Sequence, residues 1–299
     1  NNIEFIPIED TIFESVVSTL SETQDWGLGL AGIPEAHKHT KGENITVAVL
    51  DTGVPNHLDL TVNLIEGKSA VSGDALDKQG HGTHVCGIVA AAENGVGVIG
   101  IAPQAKVLPI KVLADNGLGG WEQIGKGIQM AIDAGADIIN MSLGSPQEPG
   151  EVFHQIIKNA YEKGIIIVAA AGNDSGAVNF PARFPEVIAV GAIDSQGQLA
   201  NFSSRGQEIA CVAPGVQIYS TYLNNQYGIL NGTSQASPFM AGVCALILSW
   251  TRANPSAPQI KNAQDMLKVI DDLCDPNGRL GFDGKEENIG YGIPSFANY

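Results

Sequence analysis

The chain has 299 residues, 44% of them hydrophobic and only 16% charged. Charged residues usually make up about 25%; a chain this apolar is not disordered and can bury a sizeable core as one large domain or two small ones. Its 32 acidic against 16 basic residues give a net charge of −16, a poor match for nucleic acid or an anionic membrane surface.

The segment 1 to about 25 reads as an N-terminal extension, and 26–299 as one domain. Residues 45–50 read as a buried strand ending at Asp51, and 81–92 as a helix. A second strand follows at 107–113, a helix at 121–134, and a third strand at 137–143. Then come a helix at 152–163, strands at 164–171 and 187–193, a long helix at 233–250 and a last one at 257–271. The strands are nearly continuous apolar runs, as parallel strands covered on both faces require. Alternating β and α with right-handed crossovers predicts an α/β, doubly wound, mostly parallel sheet with helices on both faces. No stretch approaches the roughly 20 apolar residues of a membrane span, and no basic-then-apolar leader opens the chain. The first residues are Asn1-Asn2 without Met, so the missing leader does not establish a cytosolic origin. Cys86, Cys211, Cys244 and Cys274 have no CxxC spacing and read as buried free thiols.

Three segments place a polar side chain at the end of a rigid element. Asp51-Thr52-Gly53 follows the first strand, His81-Gly82-Thr83-His84-Val85 opens a helix, and Gly232-Thr233-Ser234-Gln235-Ala236-Ser237-Pro238 opens another. Singly, each is an ordinary turn or cap. Together they offer a hydroxyl nucleophile, a base to take its proton and a carboxylate to orient the base. Asn173, closing Ala169-Ala170-Ala171-Gly172-Asn173, adds a side-chain donor.

From about Trp26 to the C-terminus the chain resembles the subtilisin family of serine endopeptidases. The resemblance implies a broad-specificity peptide-bond hydrolase in which Asp51, His81 and Ser234 are catalytic and Asn173 forms the oxyanion hole. His84 is expected to be a packed helix residue rather than a second base. Gln235 stands where Met usually follows the nucleophile, which removes an oxidisable thioether. Phe239 stands where His is common, with an effect on packing only. By the same resemblance, Ser142, Leu143 and Gly144 form one wall of the S1 pocket, Ala169, Ala170 and Gly172 the other, and Asn179 its base. Leu118, Gly119 and Gly120 match the second substrate-pairing edge, with Trp121 and Ile124 around an apolar S4 pocket.

A Ca²⁺ site is implied as well. Asp59 matches a ligand, Asn94 would give its side-chain oxygen, and Ala92, Val96 and Val98 their carbonyls; a further ligand is expected at Gln24 or Asp25. Oxygen-only ligation suits this ion. The acidic stretch 271–287 (Asp275, Asn277, Asp283, Gly284, Glu286) fails EF-hand spacing and reads as a solvated loop. Segment 4–10, with Pro7, resembles the inhibitory extension of intracellular members, which lies across the active site; a tail without that role is the alternative. Proteins and peptides are the expected substrates. The rival reading is a catalytically silent relative that binds peptides. A non-protease serine hydrolase would need G-x-S-x-G, which Gly232-Thr233-Ser234-Gln235-Ala236 breaks. Compartment stays open. The acidic balance and the thiols resemble the intracellular branch, and a secreted enzyme already stripped of its pro-region would look the same.

Overall fold

The computed structural model describes residues 3–4, 21–274 and 286–297. In chain order the elements are β1 (Ile3–Glu4), α1 (Trp26–Leu30), α2 (Ile33–Ala36), β2 (Thr46–Asp51), β3 (Lys68–Ser69), α3 (His81–Ala90) and β4 (Lys106–Lys111). Next come β5 (Leu118–Gly119), α4 (Trp121–Asp133), β6 (Ile138–Met141), α5 (Glu151–Glu162), β7 (Ile166–Ala170), β8 (Val187–Ile193) and β9 (Ile209–Pro214). The hairpin strands β10 (Ile218–Tyr222) and β11 (Gln226–Leu230), then α6 (Thr233–Ala253) and α7 (Ala263–Leu273), complete the described chain.

Seven strands form one sheet in the order β3-β4-β2-β6-β7-β8-β9, and every neighbouring pair is parallel. Alternate residues of each strand enter opposite cores, as the two-residue period of a strand dictates. Val47, Val49, Ile138, Ile166 and Val168 pack with α3, α6 and α7. Ala48, Leu50, Ile139, Met141 and Ile167 pack with α4 and α5. Each such Ile or Val, fully buried, contributes roughly 1.5–3 kcal/mol of burial. Helices therefore cover both faces, as the alternating pattern predicts.

Because β2, β6 and β7 are parallel neighbours, their C-terminal ends share one edge. In register, Leu50 faces Met141, and Met141 faces Ala169. Asp51, Ser142 and Asn173 lie at or just past those ends, and α3 and α6 begin above them. Ligands of open α/β sheets bind at this carboxyl edge. The last helix starts at Ala263, later than the apolar pattern suggests, because the Asn262 side chain caps it by accepting the Asp265 N–H at 3.1 Å. The hairpin β10–β11 carries no uniform apolar run and is absent from the sequence reading. It packs on α3 through hydroxyls: Ser220 Oγ donates to the His84 carbonyl and Thr221 Oγ1 to the Thr83 carbonyl, at 2.9 and 2.8 Å. All four cysteines are buried and outside any disulfide, as expected.

Candidate active site

Asp51 ends β2 and is 1% exposed. Its Oδ1 accepts the Thr52 N–H at 2.7 Å and lies 2.8 Å from His81 Nδ1. A neutral His81 that donates from Nδ1 keeps Nε2 as its basic nitrogen. Asp51 Oδ2 has no partner. His81 is the first residue of α3, set by Gly80 at φ +101°, a left-handed conformation. A Cβ there would come within 2.4 Å of the Tyr222 ring. Burial pushes the His81 pKa down, but the charge and hydrogen bond of Asp51, with a smaller contribution from Asp77, outweigh it, and the net shift is upward.

The other half of the site is the first turn of α6. Gly232, at φ +153°, precedes it. Asn173 Oδ1 accepts both the N–H and the Oγ1–H of Thr233, each at 2.9 Å, which orients its amide beside Ser234. The Gly172 N–H donates to Thr233 Oγ1 at 3.1 Å. Ser142 Oγ donates to the Ser234 carbonyl at 2.8 Å, and Asn140 holds both Ser142 and Ser237. The Ser234 hydroxyl donates to the Ser142 carbonyl at 3.2 Å. Gln235, 1% exposed, has no partner for either amide atom.

His84 is a packed residue, as expected. Its Nε2 faces the carbonyls of Ile218 and Gly228 at 3.0 and 3.1 Å, and burial, reinforced by His81, pushes its pKa down to about 3. Phe239 is buried in the core, in keeping with a packing role.

Of the expected substrate residues, Ser142 and Gly172 bond the first turn of α6 directly. Leu143, Ala169 and Ala170 are buried, and Asn179 is 3% exposed. The Asn179 N–H donates to the Ala171 carbonyl at 2.8 Å, its Nδ2 would lie 2.9 Å from a Cβ on Gly172, and its Oδ1 has no partner. Trp121 tilts against Phe153 with ring centroids 4.7 Å apart, and Ile124 is fully buried beside it. Gly120 precedes α4. Leu118 and Gly119 form β5, and that edge already carries a strand: β1 pairs antiparallel with it, Ile3 opposite Gly119 and Glu4 opposite Leu118. Segment 5–10, including Pro7, lies outside the described residues, as does 275–285.

The implied calcium ligands also come together. Asp59, 1% exposed, accepts the Val98 N–H at 2.9 Å, the Asn94 Nδ2–H at 2.7 Å and the Tyr227 hydroxyl at 3.3 Å. Asn94 turns its Oδ1 toward the Val96 N–H at 3.0 Å. The partner from the N-terminal side is neither Gln24 nor Asp25. Asp25 accepts the Gly27 and Tyr219 N–H groups, each at 3.0 Å, and so caps α1. Glu22 meets the loop instead: its Oε1 accepts the Asn94 and Gly95 N–H groups at 2.9 and 3.1 Å, while its own N–H and that of Thr23 donate to Gly95 and Gly97. Among the described residues no three His, Cys, Asp or Glu gather in metal-binding spacing. Two carboxylates and an amide meet at this loop, oxygen donors of the kind that Ca²⁺ takes. Burial raises the Asp59 pKa, which its hydrogen bonds only partly offset; a cation beside it would relieve that cost.

Sequence reasoning misses Asp77, Thr52 and Lys111 behind Asp51, and Glu22 at the loop. Asp77 is an unpatterned loop acid, visible in the sequence only by standing four residues before His81.

The subtilase-family model matches residues 42–292. The chain is 39% identical over 302 residues to the minor extracellular protease Epr of Bacillus subtilis, covering 98% of this chain and 45% of that protein, so it spans less than half of Epr. It is 41% identical over 261 residues to subtilisin Savinase of Lederbergia lenta, covering 86% and 95%. It is 41% identical over 268 residues to M-protease of Shouchella clausii, covering 88% and 69%.

Proposed function

The chain belongs to the subtilase family of subtilisin-type serine proteases, and from that premise we propose that it is a calcium-stabilised endopeptidase that cleaves protein substrates through an acyl-enzyme. The buried 2.8 Å pair of His81 Nδ1 and Asp51 carries this reading, since it leaves His81 Nε2 as the base at the edge where α6 presents Ser234. Ser234 Oγ leaves the Ser142 carbonyl, gives its proton to Nε2 and attacks the peptide carbonyl. Catalytic hydrogen bonds often tighten only when substrate is bound. Asp51 stabilises the imidazolium. The Asn173 amide and the Ser234 N–H receive the oxyanion. His81 then protonates the leaving amine, and water repeats the attack. Asn179 closes S1 with a polar floor, and Trp121 lines S4.

Labelling with a fluorophosphonate tests the reaction. Stoichiometric modification of Ser234 is expected; no labelling would make the chain a silent peptide binder.

Asp59, Glu22 and Asn94, with the carbonyls of Ala92, Val96 and Val98, would hold the Ca²⁺, which neutralises the two carboxylates and ties the N-terminal side to the loop. A ligand bound only to the folded state stabilises by about 2.7 kcal/mol at a hundredfold excess over its dissociation constant. Chelation should lower the melting temperature by several degrees in the parent and hardly at all in Asp59→Ala.

The N-terminal extension is read as an intramolecular inhibitor. The antiparallel pairing of Ile3 and Glu4 with Leu118 and Gly119 supports this, because an extended substrate adds to such an edge in the same way. Pro7 removes an N–H and fixes φ, which disfavours cleavage there, and the tether gives an effective concentration on the order of millimolar. Deleting residues 1–20 should raise turnover of a small peptide. Unchanged turnover, with no processing seen by mass spectrometry, would discard this reading.

A further inference from the structure

Asp77 stands four residues before His81 and is only 9% exposed. Its two oxygens accept five hydrogen bonds. Oδ1 takes the Thr52 hydroxyl at 2.9 Å and the N–H groups of Gln79 and Gly80 at 3.0 and 2.9 Å. Oδ2 takes the N–H and the hydroxyl of Thr83 at 2.8 and 2.6 Å. Its own N–H donates to the Val54 carbonyl at 2.9 Å. Thr52 is the residue after Asp51, and Thr83 sits in the first turn of the helix that His81 opens. Thr52 Oγ1 in turn accepts the Gly82 N–H at 2.9 Å. One carboxylate thus bolts the turn that carries Asp51 to the turn that carries His81.

We propose that Asp77 is a positioning residue for the reaction: it holds the Asp51 turn and the His81 helix in register and places a second negative charge behind the imidazolium. This rests on the proteolytic reading above. The chemistry calls for a carboxylate. Both partners of Oδ2 are donors, so an amide nitrogen there would meet donor with donor, and an amide oxygen there would leave Oδ1's three donors facing nitrogen. The charge also suits the N-terminal end of α3.

The groups facing His81 are few. Asp51 lies on β2, and His84 and Cys86 lie on α3. Tyr222 of β10 packs over Gly80 with its hydroxyl on the Gln79 carbonyl at 3.1 Å. Lys111 of β4 puts its ammonium on the Thr52 carbonyl and on Asp115. Asp51 and Asp77 are the two anions that raise the His81 pKa, while His84 is held neutral. Removing the Asp77 charge therefore favours neutral His81 and moves the acid limb of activity downward.

The test is the pH profile of kcat/KM on a small peptide, for the parent, Asp77→Asn and Thr52→Val. A misplacement of about 1 Å can cost a hundredfold in rate. Asp77→Asn should lower kcat at least tenfold with KM nearly unchanged, and shift the acid limb down by on the order of half a pH unit. Thr52→Val, which breaks one bond and keeps the charge, should lower kcat without moving the limb. An acid limb and kcat both unchanged in Asp77→Asn would overturn the proposal. A kcat loss matched by an equal loss of fluorophosphonate-reactive sites marks unfolding rather than misplacement. Should Asp77→Asn fail to fold, Thr83→Ser and Thr83→Val decide. The Ser variant keeps the hydroxyl and should hold parental kcat while the Val variant loses it; equal kcat in both would refute the role. A parent that fails to label at Ser234 would sink the proteolytic reading instead, which separates the two failures.

Discussion

Two buried polar side chains flank the site, and they are treated in opposite ways. On the His81 side, Asp77 accepts five hydrogen bonds and Thr52 uses its N–H, hydroxyl and carbonyl. On the Ser234 side, Gln235 is more deeply buried than Asp77 and neither of its amide atoms has a partner. A satisfied buried polar group adds little net stability but fixes geometry; an unsatisfied one costs about 1–3 kcal/mol. Asp77 and Thr52 therefore make a stiff frame behind the site, although Asp51 Oδ2 and His84 Nδ1 on the same side also lack a partner. The Ser234 side carries a standing energetic cost, and stabilising substitutions are available there.

The largest effect should come where the Ser234 side does have a fixed polar group. Asn173→Ala should lower kcat roughly a hundred- to a thousandfold with little change in KM, a magnitude carried over from subtilisin rather than derived from this chain. A loss of under tenfold would mean that Asn173 only caps the α6 turn through Thr233.

The stiff side should show itself in acid. His84 is pushed down to about 3, so the fold refuses a proton that the unfolded chain takes near 6.5. Its contribution is complete above that value and is lost as pH falls from there toward 3. His37 and His57 are lowered too, by burial first. His81 is the opposite case: raised, its contribution is present below 6.5 and fades as pH climbs through the folded value. The raised Asp25 and Asp59 act with His81 against this trend, but His84 is the group pushed down to about 3, so the melting temperature should fall between pH 7 and pH 5, and His84→Gln should flatten that slope. A parent more stable at pH 5 than at pH 7 would contradict these directions.

Gln235→Met sharpens the contrast most directly. It removes both unpartnered amide atoms at similar volume and should raise the melting temperature by a few degrees, while restoring loss of activity to peroxide. The smallest effect is expected at Asn179. Asn179→Gly removes one unpartnered oxygen but adds backbone entropy of about 0.5–1 kcal/mol, so stability should hardly move. The pocket floor should open, and kcat/KM for large P1 side chains should rise several-fold over that for Ala.

These contrasts also show what the sequence makes legible. A long apolar run announces itself, and 187–193 is β8 to the residue, whereas β9, buried at every residue, goes unread because its apolar run is shorter and ends at Pro214. Asp51, His81, Ser234 and Asn173 are legible because each stands in a short run set by the end of a rigid element. The groups behind them are not. Asp77 acts through five contacts, and those to Thr52 and Thr83 depend on how the chain returns in space. Glu22 lost out to Asp25 because the carboxylate nearer the domain reads equally well as a ligand or as a helix cap, and only the Tyr219 contact, from 194 residues away, shows it capping. The β10–β11 hairpin escaped because it packs through Ser and Thr hydroxyls rather than an apolar stripe.

The four buried thiols have a use unrelated to proteolysis. Cys86 sits on α3, Cys211 on β9, Cys244 on α6 and Cys274 just past α7, so all four line the one core between the sheet and the α3, α6 and α7 face, each from a different element. Burial pushes the Cys244 and Cys274 thiols up to about 12 and Cys86 well above its ordinary value, so these three offer almost no thiolate to an alkylating reagent at neutral pH, and Cys211 is shielded by its burial. Any modification must wait for a local opening. Timed alkylation followed by peptide mapping would therefore act as a set of built-in clocks, one for each of these four elements, reporting the order in which they leave that core.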